Sequence, residues 1–265
     1  MENIRAITSK ENPQYRFARS LHDRRIAERE GVVFIEGVRL CEDALISGLV
    51  PQMILLSDEK ITLAAEWCGR FSVGSDTQIL SMPEALFERL GSTKNPQGIA
   101  MVVPSPLIYE KIPVRGNDLY LVCEEISDPG NLGTMIRTAD AFDFSAVLIV
   151  SGTVDPFNEK TIRSSMGSCF HIPVVSYNSI EEICFQLKKM NVQLVASHLN
   201  GEYLPKAVFT YPSALFIGNE ARGLTDHCTA LCDLCVKIPM PGKAESLNAS
   251  SAASILAYEM FIGRK

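Results

Sequence analysis

Between residues 118 and 265, short apolar runs alternate with segments that have a helical pattern of apolar residues, and this alternation limits the fold more than any other feature. Ala146–Val150 and Ala214–Ile217 carry no polar side chain, so each is predicted to be a strand buried on both faces. Such strands, separated by helices, are typical of a parallel sheet with helices on both faces. The predicted strands span 119–124, 147–150, 172–175, 192–196, 214–217 and 236–240, and the predicted helices span 132–142, 158–166, 180–190, 225–231 and 247–261.

A proline-rich segment separates this region from the front of the chain. Pro104, Pro106 and Pro113, followed by Gly116, exclude a helix or a central strand there. We therefore predict a first domain over 1–105, a linker over 106–117 and a second domain over 118–265. The first domain is expected to be a smaller α/β unit. Its predicted strands span 32–35, 53–56 and 98–103, and its predicted helices span 39–47, 61–68 and 83–90.

Charge is unevenly distributed along the chain. The net charge of −6 excludes a generally basic nucleic-acid binder, but residues 1–25 contain six Lys and Arg side chains against three Glu and Asp. This basic arm is either an RNA-docking surface or a solvated helix face with ordinary ion pairs. The apolar runs are too short to span a bilayer and the first 30 residues lack a signal-peptide core, so a cytoplasmic location is expected.

The eight cysteines have no disulfide spacing and are interpreted as reduced thiols. Cys228, Cys232 and Cys235 are the closest group. A zinc site would need a fourth ligand, and His227 is awkwardly placed directly beside Cys228. Buried thiols are the favoured interpretation, and no metal is expected.

Three segments hold more polar side chains than a turn requires, and each follows a predicted strand. They are Asn131-Leu-Gly-Thr-Met-Ile-Arg137, Gly218-Asn-Glu-Ala-Arg-Gly-Leu224 and Ile238-Pro-Met-Pro-Gly-Lys-Ala-Glu-Ser-Leu-Asn-Ala-Ser250. Ligands bind at the carboxyl ends of strands in open α/β sheets, so the three segments predict one site. The second segment is neither a Walker loop nor a dinucleotide fingerprint, because the glycines and the following residues do not match either pattern.

Local chemistry suggests how the segments begin their helices. Asn131 is predicted to cap one helix, with Gly133 and Arg137 on the same helical face. Ser246 is the expected cap of the last helix, and Asn248 would then be an early helical residue. The alternative for all three segments is ordinary capping and packing.

Together, the Asn-x-Gly-x-x-x-Arg, Gly-x-Glu-x-x-Gly-Leu and Ile-Pro-Met…Ser-Leu-Asn-x-Ser elements resemble the motifs of the SpoU (TrmH-like) branch of the SPOUT methyltransferases. The resemblance covers roughly residues 119–260. The arginine arm, Phe34-Ile-Glu-Gly37 and Asn95-Pro-Gln-Gly98 resemble, more loosely, that family's RNA-binding domain. The resemblance to the SpoU family implies methyl transfer from S-adenosylmethionine to a ribose 2′-hydroxyl in RNA. It also implies a trefoil knot in the C-terminal region and a homodimer.

The same resemblance implies residue roles. The polar residues around the reacting hydroxyl would be Arg137, Asn131, Glu220, Ser246 and Asn248. The cofactor would be held by Gly218, Asn219, Ile238, Met240 and Leu247, and RNA phosphates would be contacted by Arg16, Arg19, Arg24 and Arg25. Tyr15 and Phe17 either stack on RNA bases or pack the arm onto its own domain.

Several alternatives stay open at this level. rRNA is the first substrate expected and tRNA the second. A silent RNA-binding or ribosome-assembly factor of the same fold, and a nucleotide-dependent enzyme with a parallel sheet, are the rival classes. Arg137 either accepts a proton or orients the hydroxyl and a phosphate through its donors.

Overall fold

A computed structural model describes residues 4–71, 73–91, 93, 95–106, 108–204 and 207–264. The chain forms two compact units, one of residues 1–106 with 157–170 and the other of residues 107–156 with 171–265. Helices and strands are numbered below in chain order. No helix in the described part of the chain has the length and apolar character needed to cross a bilayer.

The second unit is built on a seven-stranded sheet in which every paired strand is parallel. Its strands are β6 (Ile108–Tyr109), β7 (Leu119–Cys123), β8 (Ala146–Val150), β9 (Val174–Tyr177), β10 (Gln193–Tyr203), β11 (Ser213–Ile217) and β12 (Leu234–Lys237), in the spatial order β12-β10-β11-β7-β8-β9-β6. All residues of β7, β8 and β11 are buried, which confirms the predicted parallel sheet with apolar strands.

Helices cover both faces of this sheet. They are α6 (Pro129–Ala141), α8 (Ile180–Lys189), α9 (Asp226–Leu231) and α10 (Ala249–Gly263). Tyr120 and Val122 share a core cluster with the buried side chains of α8. Cys123 points to the opposite face, where its Sγ lies 3.9 Å from Met135 of α6. Because α10 packs against α6, these two helices form one layer, while α8 and α9 form the other.

The first unit contains a five-stranded mixed sheet. Its strands are β1 (Ile4–Ala6), β2 (Val32–Glu36), β3 (Met53–Ser57), β4 (Gln78–Met82) and β5 (Ile99–Pro104), in the order β1-β4-β3-β5-β2. Its helices are α1 (Pro13–Ser20), α2 (Arg24–Glu30), α3 (Val38–Ile46), α4 (Ile61–Arg70), α5 (Glu84–Phe87) and α7 (Glu159–Ser165). Trp67, Phe87 and Tyr15 are almost completely buried within it.

Several predicted elements differ from the observed ones. The strand predicted over 236–240 is instead Leu234–Lys237, because Pro239 and Pro241 cannot donate hydrogen bonds to a sheet. The sequence pattern missed β4, whose sequence Gln-Ile-Leu-Ser-Met does not alternate strictly. The helix predicted over 158–166 is present as α7, but it belongs to the first compact unit, and it packs on β2.

Candidate functional site

The middle of β10, the ends of β11 and β12 and the start of α10 line a cleft of about 440 Å³. This volume is typical of a site for a small molecule or cofactor. Seven of the residues predicted for the site line it: Gly218, Asn219, Glu220, Ile238, Met240, Ser246 and Leu247. The second and third segments therefore do meet at one edge of the sheet, as expected for parallel strands.

Gly218 allows the loop after β11 to fold back on itself. A Cβ at this position would lie 2.2 Å from the backbone C of Gly223 and 2.2 Å from the N of Leu224. Gly223 has φ +71, a conformation that suits glycine, and its N–H donates to the carbonyl of Asn219 at 2.8 Å. All the residues of this tight turn, from Gly218 to Leu224, line the cleft.

Asn219 holds the same loop in place through its side chain. Its Nδ2 donates to the carbonyl of Glu125 at 2.8 Å, and its Oδ1 accepts from the backbone N–H groups of Ala221 at 3.0 Å and Arg222 at 3.2 Å. The Arg222 guanidinium also pairs with the Glu125 carboxylate at 2.6 Å. The loop is thus tied to the segment that follows β7.

Glu220 joins the second segment to the first. Its carboxylate accepts hydrogen bonds from the Ser127 N–H and hydroxyl at 3.1 and 2.8 Å, from the Asp128 N–H at 3.0 Å and from Asn131 Nδ2 at 2.9 Å. Partial burial acts to raise the pKa of Glu220, but these hydrogen bonds outweigh it and lower that pKa to about 2. Glu220 is therefore an ionised hydrogen-bond acceptor at neutral pH, with no proton to donate as a general acid and only weak basicity.

Asn131 links this cluster to the third segment, since its Oδ1 accepts from Asn248 Nδ2 at 2.9 Å. The prediction that Asn131 caps α6 is wrong. The cap is Asp128, whose side chain accepts from the Asn131 N–H at 2.9 Å, because Pro129 fits the first helical position. Asn131 is left free to bond with both other segments.

The predicted cap of the last helix is also corrected. Helix α10 begins at Ala249 and is capped by Asn248, not by Ser246. Asn248 Oδ1 accepts from the N–H groups of Ser250 at 2.8 Å and Ser251 at 3.3 Å. Ser246 instead lines the cleft. The three segments are consequently joined by the hydrogen-bonded chain Glu220–Asn131–Asn248.

Arg137 lies apart from the cleft. It is exposed on α6, does not line the cleft, and makes no hydrogen bond or ion pair with any residue that the structure describes. Ten residues were predicted to surround the reacting hydroxyl or to hold the cofactor. Seven of them line the cleft, and Asn131 and Asn248 are connected to it by hydrogen bonds through Glu220. Arg137 does not line the cleft.

Sequence reasoning missed one wall of the cleft, formed by Ser197-His-Leu-Asn200 of β10. The pairing of β10 with β12 shifts register between Ser197 and Glu202, and Gly201 lies so close to Cys235 that a Cβ would sit 2.6 Å from its backbone. The dipeptide Asn200-Gly201 is a turn signal directly after a buried run, and it could have indicated that the chain approaches the site there.

In the first unit, the predicted RNA-contacting arginines are largely engaged with nearby carboxylates. The ion pairs are Arg16–Glu11 at 4.0 Å, Arg24–Glu28 at 2.6 Å and Arg25–Asp23 at 3.0 Å, while Arg19 is exposed on α1. Tyr15 is buried and its hydroxyl donates to the Leu86 carbonyl at 3.1 Å, and Phe17 packs against the same core. The packing interpretation holds for Tyr15, whose ring is buried, while Phe17 is only partly buried and its stacking on bases stays a prediction.

Of the three closely spaced cysteines, Cys228 is buried, whereas Cys232 and Cys235 are partly buried. Cys228 is completely buried, and both its interaction with Cys232 and its burial raise its pKa. Within the described residues, no group of three or more His, Cys, Asp or Glu side chains could hold a metal ion.

Both the first and the second part of the chain are similar to known protein families. Residues 118–258 match the model of the SpoU rRNA methylase family, and residues 4–101 match that of the MRM3-like substrate binding domain. A 23S rRNA (guanosine(2553)-2′-O)-methyltransferase from Bacillus subtilis is 35% identical over 97% of this chain and 99% of its own length. A 23S rRNA (uridine(2479)-2′-O)-methyltransferase from Streptomyces viridochromogenes is 32% identical over 96% of this chain and 91% of its own.

Solved structures agree with this likeness. The crystal structure of the SpoU methyltransferase AviRb from Streptomyces viridochromogenes, in complex with the cofactor AdoMet, superimposes with a TM-score of 0.84. It is 30% identical and covers 96% of this chain and 98% of that one. Both compact units of this chain therefore have counterparts in a solved methyltransferase.

Proposed function

This chain belongs to the SpoU rRNA methylase family, and from that premise we propose that it transfers a methyl group from S-adenosylmethionine to a ribose 2′-hydroxyl of 23S rRNA. The observation that carries the proposal is the cleft that seven of the family-motif residues line, joined by Glu220 and Asn131 to the first motif segment. The two named relatives modify different nucleotides, a guanosine and a uridine, so the target nucleotide does not follow from the family.

The cleft fits the methyl donor. Gly218 permits close approach to the backbone, and the apolar side chains of Ile238, Met240 and Leu247 form a wall beside the polar Asn219. We assign these five residues to cofactor binding. When bound, S-adenosylmethionine supplies an electrophilic methyl group, so the protein has to position the hydroxyl and promote loss of its proton.

Glu220, Asn131 and Asn248 are proposed to position the site rather than to exchange protons. The low pKa of Glu220 keeps it charged, and its four hydrogen bonds hold the start of α6 against the loop after β11. Asn131 also accepts a hydrogen bond from Asn248, which caps α10, so the start of α10 is held in the same network. Ser246 stands at the mouth of the cleft as a polar contact for substrate.

Arg137 is proposed to orient the ribose hydroxyl and an adjacent phosphate. A guanidinium stays charged at neutral pH because its pKa exceeds about 12, and its planar set of donors suits a phosphate. Its exposed position, without partners among the described residues, leaves it available to RNA.

We further propose a homodimer formed through α10. Ile255, Tyr258 and Ile262 recur at helical spacing on this helix and are 39%, 49% and 44% exposed, which makes an apolar stripe that a second copy would cover. Such a dimer would bring a second copy beside α6 and Arg137, because α6 packs directly on α10.

The remaining assignments follow the same premise. Residues 1–105 are proposed to bind the RNA substrate and 118–265 to carry the transfer, in agreement with the two family models. The cytoplasm is the proposed location, because the substrate is ribosomal RNA. A trefoil knot through the C-terminal segment stays a prediction.

The test measures transfer of labelled methyl groups to bulk rRNA and tRNA from cells that lack the gene, followed by mapping of 2′-O-methyl sites. Labelled 23S rRNA is the expected result. Label in tRNA alone would redirect the proposal, and no label in any RNA would favour a silent assembly factor.

The role of Arg137 is tested separately with Arg137→Ala and with Lys188→Ala, which removes an exposed cation from α8. Arg137→Ala is expected to lower turnover at least a hundredfold, since about 2.7 kcal/mol of transition-state stabilisation corresponds to that factor. Calorimetry should show unchanged affinity for S-adenosylmethionine in both variants. Full turnover by Arg137→Ala would refute the assigned role.

A further inference from the structure

The first unit contains a polar pocket of about 210 Å³, lined in part by the segments Phe34–Gly37 and Asn95–Gly98, whose residues have no individual role assigned above. It lies between the end of β2, the start of α3, the segment before β5 and helix α7. Its walls combine one carboxylate, two amides, two guanidinium groups and a methionine. The residues are Glu36, Asn95, Gln97, Arg39, Arg163 and Met166, together with Gly37, Leu40 and Thr93.

Glu36 leaves a hydrogen-bond acceptor unsatisfied in the wall of this pocket. Its Oε1 accepts from the Thr93 hydroxyl. Its Oε2 is buried and has no hydrogen-bond partner among the residues that the structure describes. The carboxylate fits there only because residue 91 is glycine, since a Cβ at Gly91 would lie 2.0 Å from Oε2. A buried charged oxygen without a partner is costly, so a ligand that supplied an N–H donor would relieve that cost.

Gln97 offers the complementary donors. Its Oε1 accepts from the Val38 N–H at 2.8 Å, which fixes the amide at the start of α3. The close approach requires Gly37, which has φ +110 and whose Cβ would lie 3.3 Å from the same oxygen. With its oxygen committed to the backbone, Gln97 presents its amide N–H groups to the pocket.

Cations stand beside these groups. Arg39 is exposed and makes no hydrogen bond or ion pair with any residue in the described ranges. Arg163 lies 3.5 Å from Glu159 and is about half exposed. This differs from the arm of α1 and α2, where Arg24 and Arg25 are each neutralised by a nearby carboxylate. Arg39, like the exposed Arg19 of α1, is therefore better placed than Arg24 and Arg25 to meet a phosphate.

Met166 adds an apolar surface at the pocket. It has φ +51 at the end of α7, an unusual conformation for methionine, and its side chain is 38% exposed. Unpaired RNA bases bind by stacking on flat or polarisable side chains while their edges bond with polar groups, and phosphates bind arginine. The pocket has all three kinds of contact within one small volume.

Resting on the proposed rRNA substrate, we propose that this pocket binds one unpaired RNA base that carries an exocyclic amine, with its amine directed to Glu36, its acceptors to Gln97 and its phosphate to Arg39. The pocket thereby contributes sequence preference, while the basic arm contributes only non-specific attraction. Cytosine and uracil provide a matched comparison, because they differ at position 4 in an amine against a carbonyl oxygen.

The experiment measures binding of fluorescein-labelled oligo(C) and oligo(U) 12-mers to the full chain by anisotropy, without cofactor. Wild-type protein is expected to bind oligo(C) about tenfold more tightly than oligo(U). Glu36→Gln, which removes the charge with little change in shape, should reduce that ratio to about one. Arg39→Ala should weaken binding of both oligonucleotides and reduce the salt dependence of the binding constant.

Arg70→Ala is the control, because it removes an exposed arginine of the same unit that pairs with Glu42 at 2.7 Å. It should bind both oligonucleotides like the wild type, and thermal unfolding should show that every variant is folded. An unchanged oligo(C) to oligo(U) ratio in Glu36→Gln, or unchanged affinity in Arg39→Ala, would overturn the proposal. Because no methyl transfer is measured, a failure here is separate from a failure of the proposed enzymatic function.

Discussion

Replacing Gly218 with alanine should disrupt the cofactor cleft while leaving the sheet intact. The added Cβ would meet the Gly223 and Leu224 backbone at 2.2 Å, about 1.2 Å short of the 3.4 Å at which ordinary contact begins. Backbone atoms cannot rotate away as the end of a side chain can. The loop from Gly218 to Leu224 must therefore move, and all seven of its residues line the cleft.

The size of the effect follows from the cost of overpacking, which is typically about 1–3 kcal/mol. If the cofactor binds only the undistorted loop, the same energy is lost from binding, and the Kd for S-adenosylmethionine rises about fivefold to 150-fold. Isothermal calorimetry measures the Kd, and thermal unfolding measures the loss of stability. Gly242→Ala is the matched control, because a Cβ at Gly242 would meet nothing within 4 Å.

The outcome that refutes this reasoning is cofactor affinity in Gly218→Ala equal to that of the wild type and of Gly242→Ala. That result would mean either that the loop after β11 does not contact the cofactor or that it accommodates the methyl group without moving. A loss of affinity in Gly242→Ala of similar size would also remove the argument, since it would reflect general sensitivity of the site rather than the backbone clash.

Three further predictions concern the network, pH and assembly. Asn131→Ala should raise the pKa of Glu220 from about 2 towards its ordinary value, as measured by carboxyl NMR titration. It should also lower the free energy of unfolding by about 1 kcal/mol, as measured by denaturant unfolding. An unchanged pKa of Glu220 would contradict the proposed effect of the Asn131 hydrogen bond. The pKa of His22 is raised above 6.5, mainly by its hydrogen bond with Glu159. The stabilisation by protonated His22 should therefore be complete below pH 6.5 and disappear as the pH rises through the raised pKa. The difference in unfolding free energy between wild type and His22→Gln should shrink with increasing pH, and a constant difference would disprove this prediction. Tyr258→Asp should shift the protein from dimer to monomer in sedimentation equilibrium, and a wild-type monomer would rule out the proposed interface.

The local pattern of the sequence was sufficient for most of the second unit. Apolar runs such as those of β8 and β11 have few ways to be buried other than in the middle of a parallel sheet, so their positions were predicted to within one or two residues. The motif segments could be assigned to one edge of the sheet for the same reason. Residue-level capping was less predictable, because Asp128 and Asn131 are both suitable cap residues and only the observed helix start distinguishes them.

Contacts between distant residues were decided by the tertiary structure. Glu220 bonds with Asn131, 89 positions away, and no pattern in either segment indicates that the pair exists. The same applies to Arg163, which folds back beside Glu36 with α7 in the first unit. Periodicity records which side chains are buried, but it carries no information about which elements are neighbours. By itself, the sequence determined the layered α/β architecture and the segments that hold the polar residues of the candidate site. Only the tertiary structure decided which of those residues share a cleft, since hydrogen-bond partners depend on how the chain is arranged in space.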